Sequence, residues 1–248
     1  MSEIRHTPVA MTGLRPLAAG AGIDAHRHDE NQIVYAGRGV LSVTTDAGIW
    51  VAPATRAIWI PAGAVHEHRA YGDTVLHLVG LPVEDNPLGL DRPAVIGVDP
   101  LLRELIIAYT GRSDGPAAER LRLRAVLLDR LRRSTQQPVH VPAARDPRLA
   151  AVCAVLRDDP ADDRTLARLG AEAGVSDRTL SRPCRAEFGM SFPQWRTQVR
   201  LHHALRLLAE DVPVTVVASR CGWASSSAFI DVFRRAFGHT PGTHRAHR

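Results

Sequence analysis

Residues 222–238 read Gly222-Trp223-Ala224-Ser225-Ser226-Ser227-Ala228-Phe229-Ile230-Asp231-Val232-Phe233-Arg234-Arg235-Ala236-Phe237-Gly238. A glycine turn leads into a serine cluster that can cap a helix, and a second glycine ends that helix. Val214 to Cys221 reads as a short helix just before the turn, so the whole is helix, turn, capped helix: the helix-turn-helix plan. Working outward, the same plan stands upstream. Leu166 to Ala173 makes a short helix, Gly174-Val175-Ser176 breaks it, and Asp177 can cap a second helix reaching to Phe188 before Gly189. Leu180, Arg185, Phe188 and Gly189 recur 49 residues later as Phe229, Arg234, Phe237 and Gly238, and the turn glycines Gly174 and Gly222 are 48 apart. Between the units, Pro193 to Ala209 carries Leu201, Leu205 and Leu208 at helical spacing, with Trp195 and Val199 beside them, as a connecting helix. One such unit is as consistent with a structural hairpin as with DNA binding; two in a basic region point to DNA.

Charge supports that reading. The chain of 248 residues contains no lysine, and its 31 cations are all arginine, the side chain suited to bidentate phosphate and guanine contacts. Residues 1–144 hold 15 arginines and 15 carboxylates, whereas 145–248 hold 16 against 11, and from Arg178 onward the ratio is 11 to 4. The positive field therefore concentrates at the end that carries the repeat, as a polyanion partner requires. The length suits two domains. No apolar run is long enough to span a membrane, and Met1 to Pro16 lacks the pattern of a secretory signal, so a cytoplasmic location without membrane contact is expected. Cys153, Cys184 and Cys221 lie too far apart for a paired-thiolate zinc site and read as buried thiols.

The residues also resemble a known family. Gly174-Val175-Ser176, Thr179-Leu180-Ser181-Arg182 and Phe188-Gly189, and above all Gly222-Trp223 with Phe229 and Phe233-Arg234-Arg235-Ala236-Phe237-Gly238-His239-Thr240-Pro241, are similar to the AraC/XylS regulators over about residues 148–245. The resemblance implies that the second helix of each unit enters one of two adjacent major-groove segments of double-stranded DNA. It assigns base or phosphate contacts to Arg178, Ser181 and Arg182 in the first helix and to Ser226, Ser227 and Arg234 in the second. Two departures stand out. The repeat sets Pro183 opposite Val232 and Cys184 opposite Phe233, so a kinked or destabilised first unit is expected. Asp231 adds a negative charge to the second helix.

Residues 20–81 read as short strands. Val40 to Thr44 and Ile49 to Val51 flank Asp46-Ala47-Gly48, and Ala57 to Ile60 stops at Pro61-Ala62-Gly63. Val83 to Pro100 reads as loop, and Leu101 to Tyr109 and Glu119 to Arg133 as helices. Leu121, Leu128 and Leu131 form a stripe that either pairs a homodimer or packs back onto the strands. Pro138, Pro142 and Pro147 suggest a linker. The expected divisions are a sensory domain at 1–97, a helical coupling or dimerisation segment at 98–134, a linker at 135–147 and a DNA-binding domain at 148–248. The fold class is α+β multidomain: a small all-β unit, which its resemblance to cupins makes a cupin-like β-barrel, with a helical segment, followed by an all-α tandem helix-turn-helix domain.

Gly20, His26, His28, Gln32 and Gly39, then Pro61, Gly63 and His66, resemble the two motifs of the cupin barrel. That resemblance implies that His26, His28, Gln32 and His66 converge as a site for a divalent transition metal. Gln32 stands where cupins carry a carboxylate and Ala70 where they carry asparagine, and an effector pocket without metal is the alternative. Trp50 and Trp59 read as core or as walls of that pocket, and His68 and His77 as ordinary strand residues. The whole reads as a transcription regulator, activator or repressor, controlled by a small molecule or metal, with RNA polymerase among its partners. A cupin-type metal-dependent enzyme fused to a degraded helix-turn-helix domain, and a pure interaction module, are the rival readings.

Overall fold

The computed structural model describes residues 4–111, 115–137 and 140–246, the side chains of 244–246 excepted, and divides the chain into two compact units. The first comprises 1–46 and 50–139; the second comprises 47–49 and 140–248.

Strands fill the first unit because its sequence alternates. They are β1 (Arg5–Thr7), β2 (Gly13–Leu17), β3 (Gly22–His28), β4 (Asn31–Ala36), β5 (Val40–Thr45), β6 (Gly48–Pro53), β7 (Arg56–Ile60), β8 (His66–Tyr71), β9 (Thr74–Leu81) and β10 (Ala94–Gly97). Helices α1 (Pro100–Gly111) and α2 (Ala117–Arg132) and the short β11 (Gln136–Gln137) follow. One sheet runs β1-β3-β8-β5-β6 and the other β11-β10-β7-β4-β9-β2. Side chains point alternately to the two faces of a strand, and the second sheet uses both. Val34, Ala36, Ile58, Ile60, Leu76 and Leu78 meet Leu41, Val43, Trp50 and Ala70 of the first sheet in an intersheet core. The intervening Ile33, Tyr35, Ala57, Trp59, Val79 and Leu81 form a second core with Leu102, Leu105 and Ile106 of α1 and Leu127, Leu128 and Leu131 of α2. Every residue of β4 is consequently buried.

Three expectations change here. The segment read as loop contains β10, which pairs antiparallel with β7, Val95 opposite Ile58. The helical segment is no separate coupling piece: α1 and α2 cover the second sheet, Leu128 and Leu131 are buried in it, and only Leu121 of the stripe is exposed, at 66%. A dimer surface built on all three leucines is therefore excluded. The expected linker carries β11, which pairs with β10, and β12 (His140–Pro142); its Pro138 lies outside the described residues.

The second unit continues with α3 (Pro147–Asp158), α4 (Leu166–Glu172), α5 (Asp177–Phe188), α6 (Phe192–Ala209), α7 (Val214–Arg220), α8 (Ser226–Phe237) and α9 (Pro241–Ala246). Local chemistry sets these ends. Asp146 caps α3 by accepting from the Arg148 and Leu149 N–H groups, and hydrogen bonding to Arg148 holds its carboxyl down at about 2. Ser191 and Gln194 form a capping box at α6. Trp195 of α6 is fully buried, stacks on Phe188 and Phe192 at ring-centroid distances of 5.5 and 6.1 Å, and donates its indole N–H to the Pro142 carbonyl, 3.2 Å. Burial lifts the thiols of Cys153 to about 12, Cys184 to about 11 and Cys221 to about 12, which leaves all three protonated and inert.

Trp195 and Phe192 also explain Cys184. The side chain that replaces a phenylalanine is 1% exposed in a cluster already filled by Leu180, Phe188, Phe192 and Trp195. Phe192 and Trp195 of α6 therefore supply aromatic bulk beside Cys184, and α5 runs unbroken through Pro183.

Two predictions follow from this packing. Leu131→Ala lowers stability of the first unit by about 2–5 kcal/mol in thermal unfolding of the full chain, whereas Leu121→Ala changes it by less than about 0.5 kcal/mol; equal effects would contradict the placement of α2. Cys184→Phe overpacks the α5–α6 cluster and costs about 1–3 kcal/mol, while Pro183→Ala restores a helix hydrogen bond and raises the unfolding temperature. A stabilising Cys184→Phe would show a vacant space in that cluster.

Candidate functional site

Two sites arise, one in each unit. In the second unit, each short helix turns into a longer one over a left-handed glycine, Gly174 at φ 68° and Gly222 at φ 72°. Gly170 permits the first turn to close: a Cβ there would lie 2.6 Å from the Val175 carbonyl and 2.8 Å from Leu180 Cδ1. Ser176, not the expected Asp177, caps α5, its Oγ accepting from the Thr179 N–H at 3.2 Å. Ser225 does the same for α8 through the Ala228 N–H, 3.1 Å. Gly189 and Gly238, both left-handed, end the two helices.

Burial then decides which side chains face outward. Leu180, Cys184 and Phe188 of α5, and Phe229, Phe233 and Phe237 of α8, recur every fourth residue and are all buried. The opposite face of α5 exposes Arg178, Arg182 and Arg185, with Ser181 half-buried beside them. Neither Arg178 nor Arg182 pairs with any described carboxylate, so both guanidiniums are free. On α8, Ser227, Asp231, Arg234 and Arg235 are exposed and Ser226 is half-buried. Arg234 lies 3.4 Å from Asp231, an exposed i,i+3 pair of little strength in water. Sequence reasoning missed Arg185, which shares the face of Arg178 and Arg182; the repeat, which aligns Arg185 with Arg234, carried the signal.

The second site lies in the first unit. Strands β3 and β8 pair antiparallel with His26 opposite His66, and alternation sets His28 and His68 on the same face. His26, His28 and His66 come together, with one ligand nitrogen from each within 4.8 Å of the others. The Nδ1 of each ring meets a backbone carbonyl: Asp24 for His26 at 2.8 Å, Glu30 for His28 at 2.6 Å and Ala64 for His66 at 2.8 Å. A carbonyl can only accept, so each Nδ1 carries the proton and each Nε2 keeps its lone pair. The Nε2 atoms of His28 and His66 are buried without a partner, as is Gln32 Oε1. Burial lowers His66 to about 4 and also lowers His26, so these rings are neutral donors near pH 7. The arrangement fits a transition metal. A cavity of about 650 Å³ opens from it, with Arg5, Met11, Arg15 and Leu78 among its walls and Gln32 and His68 facing in.

His68 is no ordinary strand residue. It is 3% exposed, and both of its ring nitrogens lack a hydrogen bond. His77 is structural, its Nδ1 2.7 Å from Thr110 Oγ1. Trp50 and Trp59 do not line the cavity: Trp50 belongs to the intersheet core, and Trp59 to the core beneath the helices, where its indole N–H donates to the Leu90 carbonyl at 3.2 Å. Alternation turned Trp59 away from the cavity, and a single strand read by itself does not reveal which face that is.

Comparison with known proteins bears on the whole chain. A family model described as a helix-turn-helix domain matches residues 169–247. The HTH-type transcriptional regulator NimR of Escherichia coli K12 is 30% identical over 226 residues, which cover 89% of this chain and 81% of NimR. A putative AraC-like transcription regulator of Streptomyces antibioticus is 34% identical over 103 residues, 41% of this chain and 34% of that protein. Among solved structures, the DNA-binding domain of AdpA, a global transcriptional factor crystallised with a target DNA, is similar over 40% of this chain and 90% of its own, at 36% identity and a TM-score of 0.38. The NimR match runs through both units, so the enzyme reading gives way to that of a regulator. The chain belongs to the AraC/XylS family of helix-turn-helix transcription regulators.

Proposed function

We propose that this regulator, working in the cytoplasm, reads adjacent major-groove segments of double-stranded DNA with α5 and α8, and that a small molecule or metal in the N-terminal cavity sets its affinity. One observation carries the DNA reading: each helix buries one stripe of large side chains and turns the opposite, arginine-bearing face to solvent, within the basic end of the chain. Arg178, Ser181 and Arg182 act from α5, and Ser226, Ser227 and Arg234 from α8. Arginine forks match guanine O6 and N7 or phosphate oxygens, while the serines, at the N-terminal ends of both helices or one turn in, serve as short hydrogen-bonding groups. Arg178 and Arg182 of α5 pair with no described carboxylate, whereas Arg234 of α8 has Asp231 beside it.

Control by the cavity requires a ligand that binds differently to DNA-competent and incompetent states. The buried unpartnered lone pairs on His28 Nε2, Gln32 Oε1 and His66 Nε2 give such a ligand something to satisfy.

Selection of bound sequences from a random duplex pool, followed by titration of variants on the selected duplex, tests the proposal. Arg178→Ala and Arg182→Ala each weaken binding by about 1–3 kcal/mol where the arginine reads a base, and selection then relaxes at that position. Arg122→Ala, an exposed arginine of α2, leaves affinity unchanged. Wild-type affinity in both α5 variants would remove α5 from the interface.

A further inference from the structure

The cavity of the first unit is bounded by the outermost strand of each sheet, β1 of the first and β2 of the second. Each strand contributes one arginine to its wall. Arg5 stands in register with His26 of β3, so the two side chains share a face. Arg15 alternates with Leu17, which enters the intersheet core, and so points into the same space. Burial lowers the pKa of His26 and of His68; the charge of Arg15 adds to both shifts and that of Arg5 to the first. Among the described residues no carboxylate pairs with either guanidinium. One such arginine is a solvated charge. Two that bound a single cavity, above buried imidazoles, form a pair suited to an anion.

The rest of the wall is apolar and held in place. Ile4, Val9 and Met11 are exposed by 49%, 66% and 48%, and all three line the cavity with Ile23 and Leu78. Large apolar side chains gathered at one opening are informative where scattered ones are not. The segment that carries Val9 and Met11 is tied down by three hydrogen bonds: Ala10 N–H to Glu30 Oε2 at 3.0 Å, Gly80 N–H to Thr12 Oγ1 at 2.9 Å, and Asp29 N–H to the Pro8 carbonyl at 3.3 Å. Only glycine fits at position 80, where a Cβ would lie 2.2 Å from the Ala10 carbonyl oxygen. Deeper in, Gln32 donates its amide to the Met11 carbonyl at 3.5 Å and leaves Oε1 unpartnered, and both ring nitrogens of His68, a residue 3% exposed, are unpartnered as well. Unmet buried polar atoms are a cost that a bound molecule removes.

We propose that this cavity binds an organic monocarboxylate, its carboxylate between Arg5 and Arg15, its apolar body against Val9, Met11 and Leu78, and its inner end at Gln32 and His68. Charge selects that class. Arg5 and Arg15 against Asp24, the one carboxylate of the wall, leave a single net positive charge beside neutral imidazoles, which a monoanion balances and a dianion exceeds. The guanidinium fork matches a carboxylate with two parallel hydrogen bonds. A neutral polyol leaves both guanidiniums unanswered and sets its hydroxyls against apolar side chains. The proposal rests on the reading of the cavity as the controlling site only for its regulatory consequence, and names what that site takes.

The experiment strips the full chain with a chelator, so that no metal on the imidazoles captures a carboxylate. Calorimetric titration then uses two probes, octanoate and 3-(4-hydroxyphenyl)propanoate, and the neutral amide of each. One molecule per chain is expected for at least one acid, with its amide weaker by about 10-fold or more because the charge-assisted hydrogen bonds are lost. Arg5→Gln and Arg15→Gln each weaken acid binding by about 10-fold and narrow the gap between acid and amide. Arg27→Gln, at an exposed position on the other face of β3, changes neither. Failure of both acids to bind, amides as tight as the acids, or undiminished acid affinity in both folded arginine variants overturns the proposal. The comparison of acid with amide needs the wild type alone, so a misfolded variant leaves the outcome decided. Duplex affinity on the same preparations separates the two readings: an acid that binds without altering it upholds the site and removes control by the cavity.

Discussion

The arrangement of the second unit depends on a single constraint, the burial of one side chain every fourth residue along two helices. Leu180, Cys184 and Phe188 on α5, and Phe229, Phe233 and Phe237 on α8, must face inward to leave water. A helix has only one other face. What stands there, arginine and serine on α5 and serine, aspartate and arginine on α8, is thereby presented to whatever approaches from solvent. The glycines at 174, 189, 222 and 238 fix where each helix starts and stops, so the exposed face has a set length as well as a set direction. Neither helix would hold that direction alone. Trp195 and its neighbours on α6 supply the surface against which α5 packs.

The first unit solves a different problem with the same principle. Its second sheet is buried on both faces, one against the first sheet and one against α1 and α2, so consecutive residues of β4, β7 and β9 enter two separate cores. Covering the sheet in this way excludes water from its outer face and leaves the polar opening among β3, β8 and β4. Histidines there are oriented by carbonyls of their own loops and strands rather than by carboxylates. The cavity therefore sets imidazole nitrogens and the Gln32 amide beside one carboxylate, Asp24, and two arginines, Arg5 and Arg15, in its wall.

Much of this was legible in the sequence, and the exceptions have physical causes. The glycine-punctuated repeat gave both helix-turn-helix units within a residue or two, because glycine turns and serine caps act locally. The histidine triad followed from motif spacing. What depends on which face a strand shows to which layer was not legible: Trp50 and Trp59 went to cores, Leu128 and Leu131 turned toward the sheet, and His68 joined the cluster. The same applies to Cys184, which shares one buried cluster with Phe192 and Trp195 of another helix. Such substitutions between elements leave no periodic trace, and Gly170, whose lack of a Cβ lets α4 close on Val175, sits in the sequence as an unremarkable helix residue.

The central claim is that outward arginines of α5 and α8 engage a polyanion and release its counterions. Duplex affinity measured against salt concentration tests this most directly. A linear fall of log K with log salt is expected, with a slope that corresponds to several phosphate contacts at about 0.9 per contact and becomes shallower when Arg178 and Arg182 are removed. A flat dependence, or a slope indifferent to both arginines, would contradict it.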